Sequence, residues 1–308
     1  MKKSLKYFLI GLLVPVLILG TLVSLVIWAL HTPEGTRVFL KTISFLSPLR
    51  IEAREISGRL RDDLTIRGLR VRWDQGELLA DFFHLRWEAA ELLNRRILVH
   101  EISLDGVRIK DDRPESRKIS FRGWPQTASW LSRRKGQVDS FRLQSMLYQR
   151  GQADPLRVNT LSTDLLWDGE VLRVRNFNLD SSVAHAEGSM EMGFSHPRLT
   201  LNLQATLAQK IAGLDALSIT LRVEPAENRE EAKGTFKISS QKEGQENFHC
   251  EGDLGLSQAA LAFQNLRLFQ PQRRGMIQAE GEIIFSETPK LRLKTNVSGM
   301  DLAPELGM

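Results

Sequence analysis

The chain has 308 residues, a formal net charge of +5, and 42% hydrophobic and 7% aromatic residues, a balance that excludes wholesale disorder and allows a sizeable core. Its one cysteine, Cys250, excludes an intramolecular disulfide. The basic pI of about 9.4 leaves two acidic partners open, nucleic acid and lipid head groups, and location has to decide between them.

Residues 1–6 carry Lys2, Lys3 and Lys6, and residues 7–30 carry no charge. As a helix the uncharged run spans about 36 Å, enough to cross a bilayer, and Gly11, Pro15 and Gly20 are tolerated in such helices. A cleaved signal peptide is the competing reading, but Ile27, Trp28 and Ala29 make a poor cleavage site. The lysines keep 1–6 cytoplasmic and export the chain from residue 31 onward, which removes nucleic acid as a partner. Over residues 31–50, Thr32 is a candidate N-cap with Pro33 in the first helical position. Val38, Phe39, Ile43 and Leu46 have helical spacing, and Ser47-Pro48 ends the run. Such a helix either covers the first sheet edge or forms a gate at the membrane surface.

From residue 51 onward the pattern is that of strands. One unit, apolar-x-apolar-x-Gly/Asn-apolar-x-apolar, occurs at 64–71 (LTIRGLRV), 102–109 (ISLDGVRI), 172–179 (LRVRNFNL) and 261–268 (LAFQNLRL). Alternation of period two marks a half-buried strand, and here it slips at the fifth position. A bulge at Gly68, Gly106, Asn176 or Asn265 explains the slip, because these residue types tolerate positive φ. One face then collects Leu64, Ile66, Leu69, Val71 and Trp73; Ile102, Leu104, Val107 and Ile109; Leu172, Val174, Phe177 and Leu179; and Leu261, Phe263, Leu266 and Leu268. Thr65, Arg67, Arg70 and Arg72 fall on the other face.

Further strands are expected at 78–87, 138–148, 199–207 and 291–297, with a helical turn at 89–95. Within 138–148, Ser140-Phe141-x-Leu143 reads as a degenerate unit. The run GRLRDDLTIRGLRVRW, followed by LRWEAAELLNRRILVHEISLDGVRIKDD, resembles the N-terminal region of the AsmA-like superfamily, most closely its TamB-like members. Gly58, Gly68, Trp73, Trp87, Leu92, Leu93, Gly106, Val107 and Ile109 carry the resemblance, which covers roughly residues 1–110. It divides the chain into a cytoplasmic terminus (1–6), a transmembrane anchor (7–30), a short helix (31–50), an AsmA/TamB-like β section (51–117) and a continuing repetitive β section (118–308). It implies passage of phospholipid between the inner and outer membranes, or help in assembling outer-membrane β-barrel proteins. The implied partners are phospholipid, the inner membrane and an outer-membrane TamA-like barrel. That barrel is engaged through a C-terminal region beyond this sequence, which is read as a fragment of a longer protein.

A sheet with one apolar face must hide it against a second sheet, a helix layer or something other than protein. Composition alone favours a closed sandwich or solenoid. With the resemblance, the expected fold is mainly β: a transmembrane helix followed by an elongated, twisted, antiparallel β-sheet groove with a few short helices. No catalytic residue, cofactor or metal is expected. The six histidines lack metal spacing, His249-Cys250-Glu251 alternates between strand faces, and Asp62-Asp63 and Asp111-Asp112 sit in turns.

Overall fold

The computed structural model describes residues 31–112, 134–152, 154–194, 198–211, 214–226, 231–242, 245–257, 259–271, 275–284 and 290–298. The uncharged run 7–30 lies outside the described residues, and among those described no helix is long and apolar enough to cross a membrane. Residues 113–133 lie outside them as well.

Helix α1, Pro33–Leu46, starts where the N-cap signal places it: the Thr32 hydroxyl accepts the Gly35 backbone N–H at 3.0 Å. Its Leu40 packs on Ile56, Leu64 and Ile66. Near its other end, Ser44 Oγ accepts the Ile51 N–H at 3.0 Å and donates to the Leu49 carbonyl at 3.1 Å. A helix side chain thus satisfies an outward N–H of the first edge strand, which is how an exposed edge is blunted. These contacts support the edge-covering role expected for this helix and leave its outward face open.

Sixteen strands come after it: β1 (Arg50–Arg59), β2 (Asp63–Trp73), β3 (Gly76–Trp87), β4 (Arg96–Asp105), β5 (Arg108–Asp111), β6 (Lys135–Arg150), β7 (Leu156–Trp167) and β8 (Val171–Ser181). Then come β9 (Ala184–Gly193), β10 (Arg198–Ile211), β11 (Leu214–Pro225), β12 (Ala232–Lys242), β13 (Gln245–Leu256), β14 (Ala260–Phe269), β15 (Met276–Ile284) and β16 (Lys290–Ser298). A 3-10 turn at Ala89–Asn94 joins β3 to β4. All sixteen strands form one twisted sheet in chain order, with β5 continuing the line of β4 beside β3 and β6. No second sheet forms among the described residues, so the closed sandwich that composition favours is not the architecture. Fourteen spacings of about 4.8 Å make the stack roughly 67 Å long.

Pairing is antiparallel except at one seam, where β4 and β5 run parallel to β6. A parallel pair needs a crossover, and residues 112–134 supply it. Across this seam His100 of β4 bonds Asp139 of β6 through Nδ1 and Glu88 through Nε2, each at 2.9 Å. Hydrogen bonds donated to Asp139 and then to Glu88 hold the imidazole pKa above its usual 6.5, and the bond accepted from His100 holds the Asp139 carboxyl below its usual range. The histidine contribution is present below its unfolded pKa and lost as pH rises through the raised folded value. The aspartate contribution is present above its unfolded pKa and lost as pH falls through the lowered one. The seam is therefore tightest between the two. Melting temperature should fall between about pH 6 and about pH 8, and His100→Gln should flatten that fall. An unchanged slope in the variant removes the clamp from the stability of the seam.

Candidate functional site

The four sequence units lie on β2, on β4 with β5, on β8 and on β14, and their apolar members share one face of the sheet. Cross-strand ladders make that face continuous. One runs Ile56, Ile66, Phe83, Leu104, Leu143, Leu161, Leu179, Ala186, Ala205, Leu217, from β1 to β11. A second runs Leu172, Met192, Leu199, Val223, Gly234, Leu254, Phe263, Gly281, Leu293, from β8 to β16. Between them lies a third, Val99, Val138, Leu165, Val174, Met190, Leu201, Leu221, Phe236. No charged side chain interrupts any of the three.

The predicted residues differ in how open they are. Leu64 and Ile66 are 3% exposed beneath α1, and Val107 is 2% exposed in a cluster with Ala80, Leu143 and Val158. Leu69, Val71, Trp73, Ile102, Leu104, Ile109, Leu172, Val174, Phe177, Leu179, Leu261, Phe263, Leu266 and Leu268 are half-buried. On the edge strand β16, Leu291, Leu293 and Val297 are more than half exposed. The face is thus covered at its β1 end and opens toward β16.

Two devices hold the apolar residues to one side, where the sequence pointed to one. Gly68 and Gly106 have the expected positive φ, 63° each, but no residue is inserted at either. The register of β1 through β6 runs unbroken past them, because each neighbouring strand makes the same two-residue step at the same level. Arg54-Glu55, Arg67-Gly68, Asp81-Phe82 and Asp105-Gly106 all turn consecutive residues outward, so the slip is a crease shared by adjacent strands rather than a bulge. The crease continues into β6 at Ser145, whose φ is 55°. The sequence reading caught only the Phe141-x-Leu143 half of this copy: Phe141-x-Leu143-x-Ser145-Met146-x-Tyr148 repeats the unit with serine at the glycine position. At β8, which does not share the step, the register with β7 shifts beside Val158.

Asn176 and Asn265 are true bulges, with φ of 51° and 49° and a register change toward both neighbouring strands. Each is fixed the same way. Asn176 donates through Nδ2 to Asp164, and Asn265 to Asp253, twelve residues back on the preceding strand in both cases. The tight turns between these strand pairs also correspond. Asp168 Oδ1 accepts the N–H groups of Glu170 and Val171, and Ser257 Oγ those of Ala259 and Ala260.

Aromatic rings lie down across glycines on the apolar face. A Cβ on Gly136 would fall 2.0 Å from the Trp167 ring, one on Gly76 2.7 Å from Trp73, and one on Gly281 2.8 Å from Phe263. The rings fill the gaps left by the glycines, which keeps the surface low in relief. Cys250 also belongs to this face, opposite Ile238 and Leu268, and burial raises its thiol pKa, as for a packed rather than a reactive cysteine. Among the described residues no cluster of His, Cys, Asp and Glu has the arrangement of a metal site. His249 stacks on Phe269 with ring centroids 4.9 Å apart and bonds Glu246 at 2.9 Å.

The opposite face is charged. Arg70 pairs with Glu77 at 2.9 Å, holding that carboxyl below its usual range, and Arg173 bridges Asp168 and Glu191. Such half-exposed pairs add little stability, but they make this the water-facing side.

In comparison with known proteins, a family model, that of the TamB N-terminal domain, matches residues 22–120, about a third of the chain. Neither a curated protein nor a solved structure matched the chain. The matched span contains α1, β1 to β5, the first two units, and the glycines of the crease at 68 and 106. Residues 22–120 are a TamB-like N-terminal region, of an envelope-associated family.

Proposed function

We propose that the chain is a non-enzymatic conduit, anchored in the inner membrane by residues 7–30 with its N-terminus cytoplasmic, that shields phospholipid acyl chains on their way across the periplasm. The observation that carries this reading is the uninterrupted apolar ladder on a single sheet with no second sheet to cover it among the described residues. Two acyl chains of about 16 carbons cost on the order of 25 kcal/mol to expose to water, at about 0.8 kcal/mol per methylene. A face that stays apolar from strand to strand removes most of that barrier along its length. Strands also need not move for lipid to pass, since the creases and bulges fix the face by backbone geometry.

Photo-crosslinking residues at Leu104, Phe177 and Phe263 test the reading, with Arg142, Arg175 and Gln264 on the charged face as controls. Phospholipid adducts should form at the first set alone. Equal labelling of both sets, or of neither, removes the conduit. Adducts to outer-membrane β-barrel proteins in place of lipid would instead support an assembly scaffold.

A further inference from the structure

We propose that α1 is a membrane-surface docking helix that lays the first strand of the sheet against the bilayer. It turns Thr36, Leu40 and Ser44 toward β1. At about 100° per residue, Val38 and Phe45 then point directly away from the sheet, two turns apart. Phe45 is 88% exposed, and Val38 and Phe39 are exposed beside it, an apolar stripe with no partner among the described residues. Arg37 and Lys41, both exposed, flank the stripe on one side. An apolar stripe bordered by cations fits the boundary between acyl chains and anionic head groups.

The chain itself indicates why that boundary is lipid rather than protein. The uncharged run 7–30 ends one residue before His31, whose Nε2 lies 2.6 Å from Arg61 Nη1 in the turn between β1 and β2. The helix therefore starts at the point where the run ends. At the same end of the sheet, Leu93 of the 3-10 turn is 90% exposed. With α1 flat on the surface, β1 lies parallel to the bilayer, and the strand-stacking direction points away from it. The inference rests on 7–30 being the anchor, and the experiment separates the two.

The full chain carrying Cys250→Ser is reconstituted in vesicles of phosphatidylcholine and phosphatidylglycerol, with single cysteines at Phe45, Ile18 or Gln264 bearing an environment-sensitive fluorophore. Lipid with a doxyl group near the head-group end of its chain should quench position 45 several-fold more than position 264, lipid with a doxyl group near its methyl end should quench position 18, and aqueous iodide should quench position 264 more than position 45. Position 45 open to iodide and untouched by doxyl lipid, with position 18 still quenched, overturns the docking and leaves the anchor standing. Quenching at 45 without quenching at 18 keeps the docking and removes the anchor. Quenching at neither removes both. Shielding of position 45 from both quenchers means that residues 7–30 or a second copy cover the helix, and this too overturns the docking.

Discussion

Gly106→Val should lower the urea midpoint of the chain by an amount corresponding to about 2–4 kcal/mol, the larger part from backbone strain and the rest from crowding. Gly106 sits at φ 63°, a region closed to a β-branched residue. A Cβ there would also meet the Asp81 side chain, 2.2 Å from Oδ2 and 2.8 Å from Cβ. The carboxylate can swing aside, but the Asp81 Cβ cannot, because β3 is paired on both sides at that level. Relaxing the strain by inserting or slipping a residue is blocked in turn, since the neighbouring strands pass the crease without a register change. The opposite substitution gives the check on sign. Ser145→Gly replaces a side chain held at φ 55° and should raise the midpoint slightly, by up to about 1 kcal/mol. If Gly106→Val proves neutral, or if Ser145→Gly destabilises as much as Gly106→Val, the crease is not a constraint of backbone conformation.

That contrast explains which parts of the fold could be read from the sequence. Alternation with a slip at glycine or asparagine is local information, and it placed seventeen apolar residues on one face. The difference between a crease and a bulge is not local. It depends on whether the neighbouring strand makes the same step, as Ala53-Arg54-Glu55-Ile56 and Ala80-Asp81-Phe82-Phe83 do without any glycine. Ser145 escaped because serine carries no preference for positive φ, although the apolar spacing around it was intact. The parallel seam between β4 and β6 was beyond reach for another reason. Strand direction is set by the crossover, and nothing in the alternation of 97–109 or 138–148 records it. On α1, periodicity showed that apolar residues recur but not that Leu40 would turn inward while Val38 and Phe45 faced away; only the position of β1 decides that.

Val174→Glu should stop lipid partway along the sheet while leaving the fold in place. Val174 lies mid-face on β8 between Leu165 and Met190 and is half-buried, so a carboxylate there can reach water when the face is empty. The cost to folding is then modest, about 1–2 kcal/mol. With an acyl chain against it the carboxylate would be desolvated without a partner, a penalty of several kcal/mol on each passing molecule, or roughly a thousand-fold in rate for about 4 kcal/mol. The nearest charged groups on the strand, Arg173 and Arg175, are its immediate neighbours and point to the other face, so neither can neutralise it. Combined with crosslinkers on either side, the variant should keep phospholipid adducts at Leu104, toward α1, and lose them at Phe263, toward β16. Loss at both positions would mean that lipid does not enter from the α1 end. Retention at both would mean that the apolar face is a wall the lipid does not follow, and the conduit would fall even if the chain bound lipid.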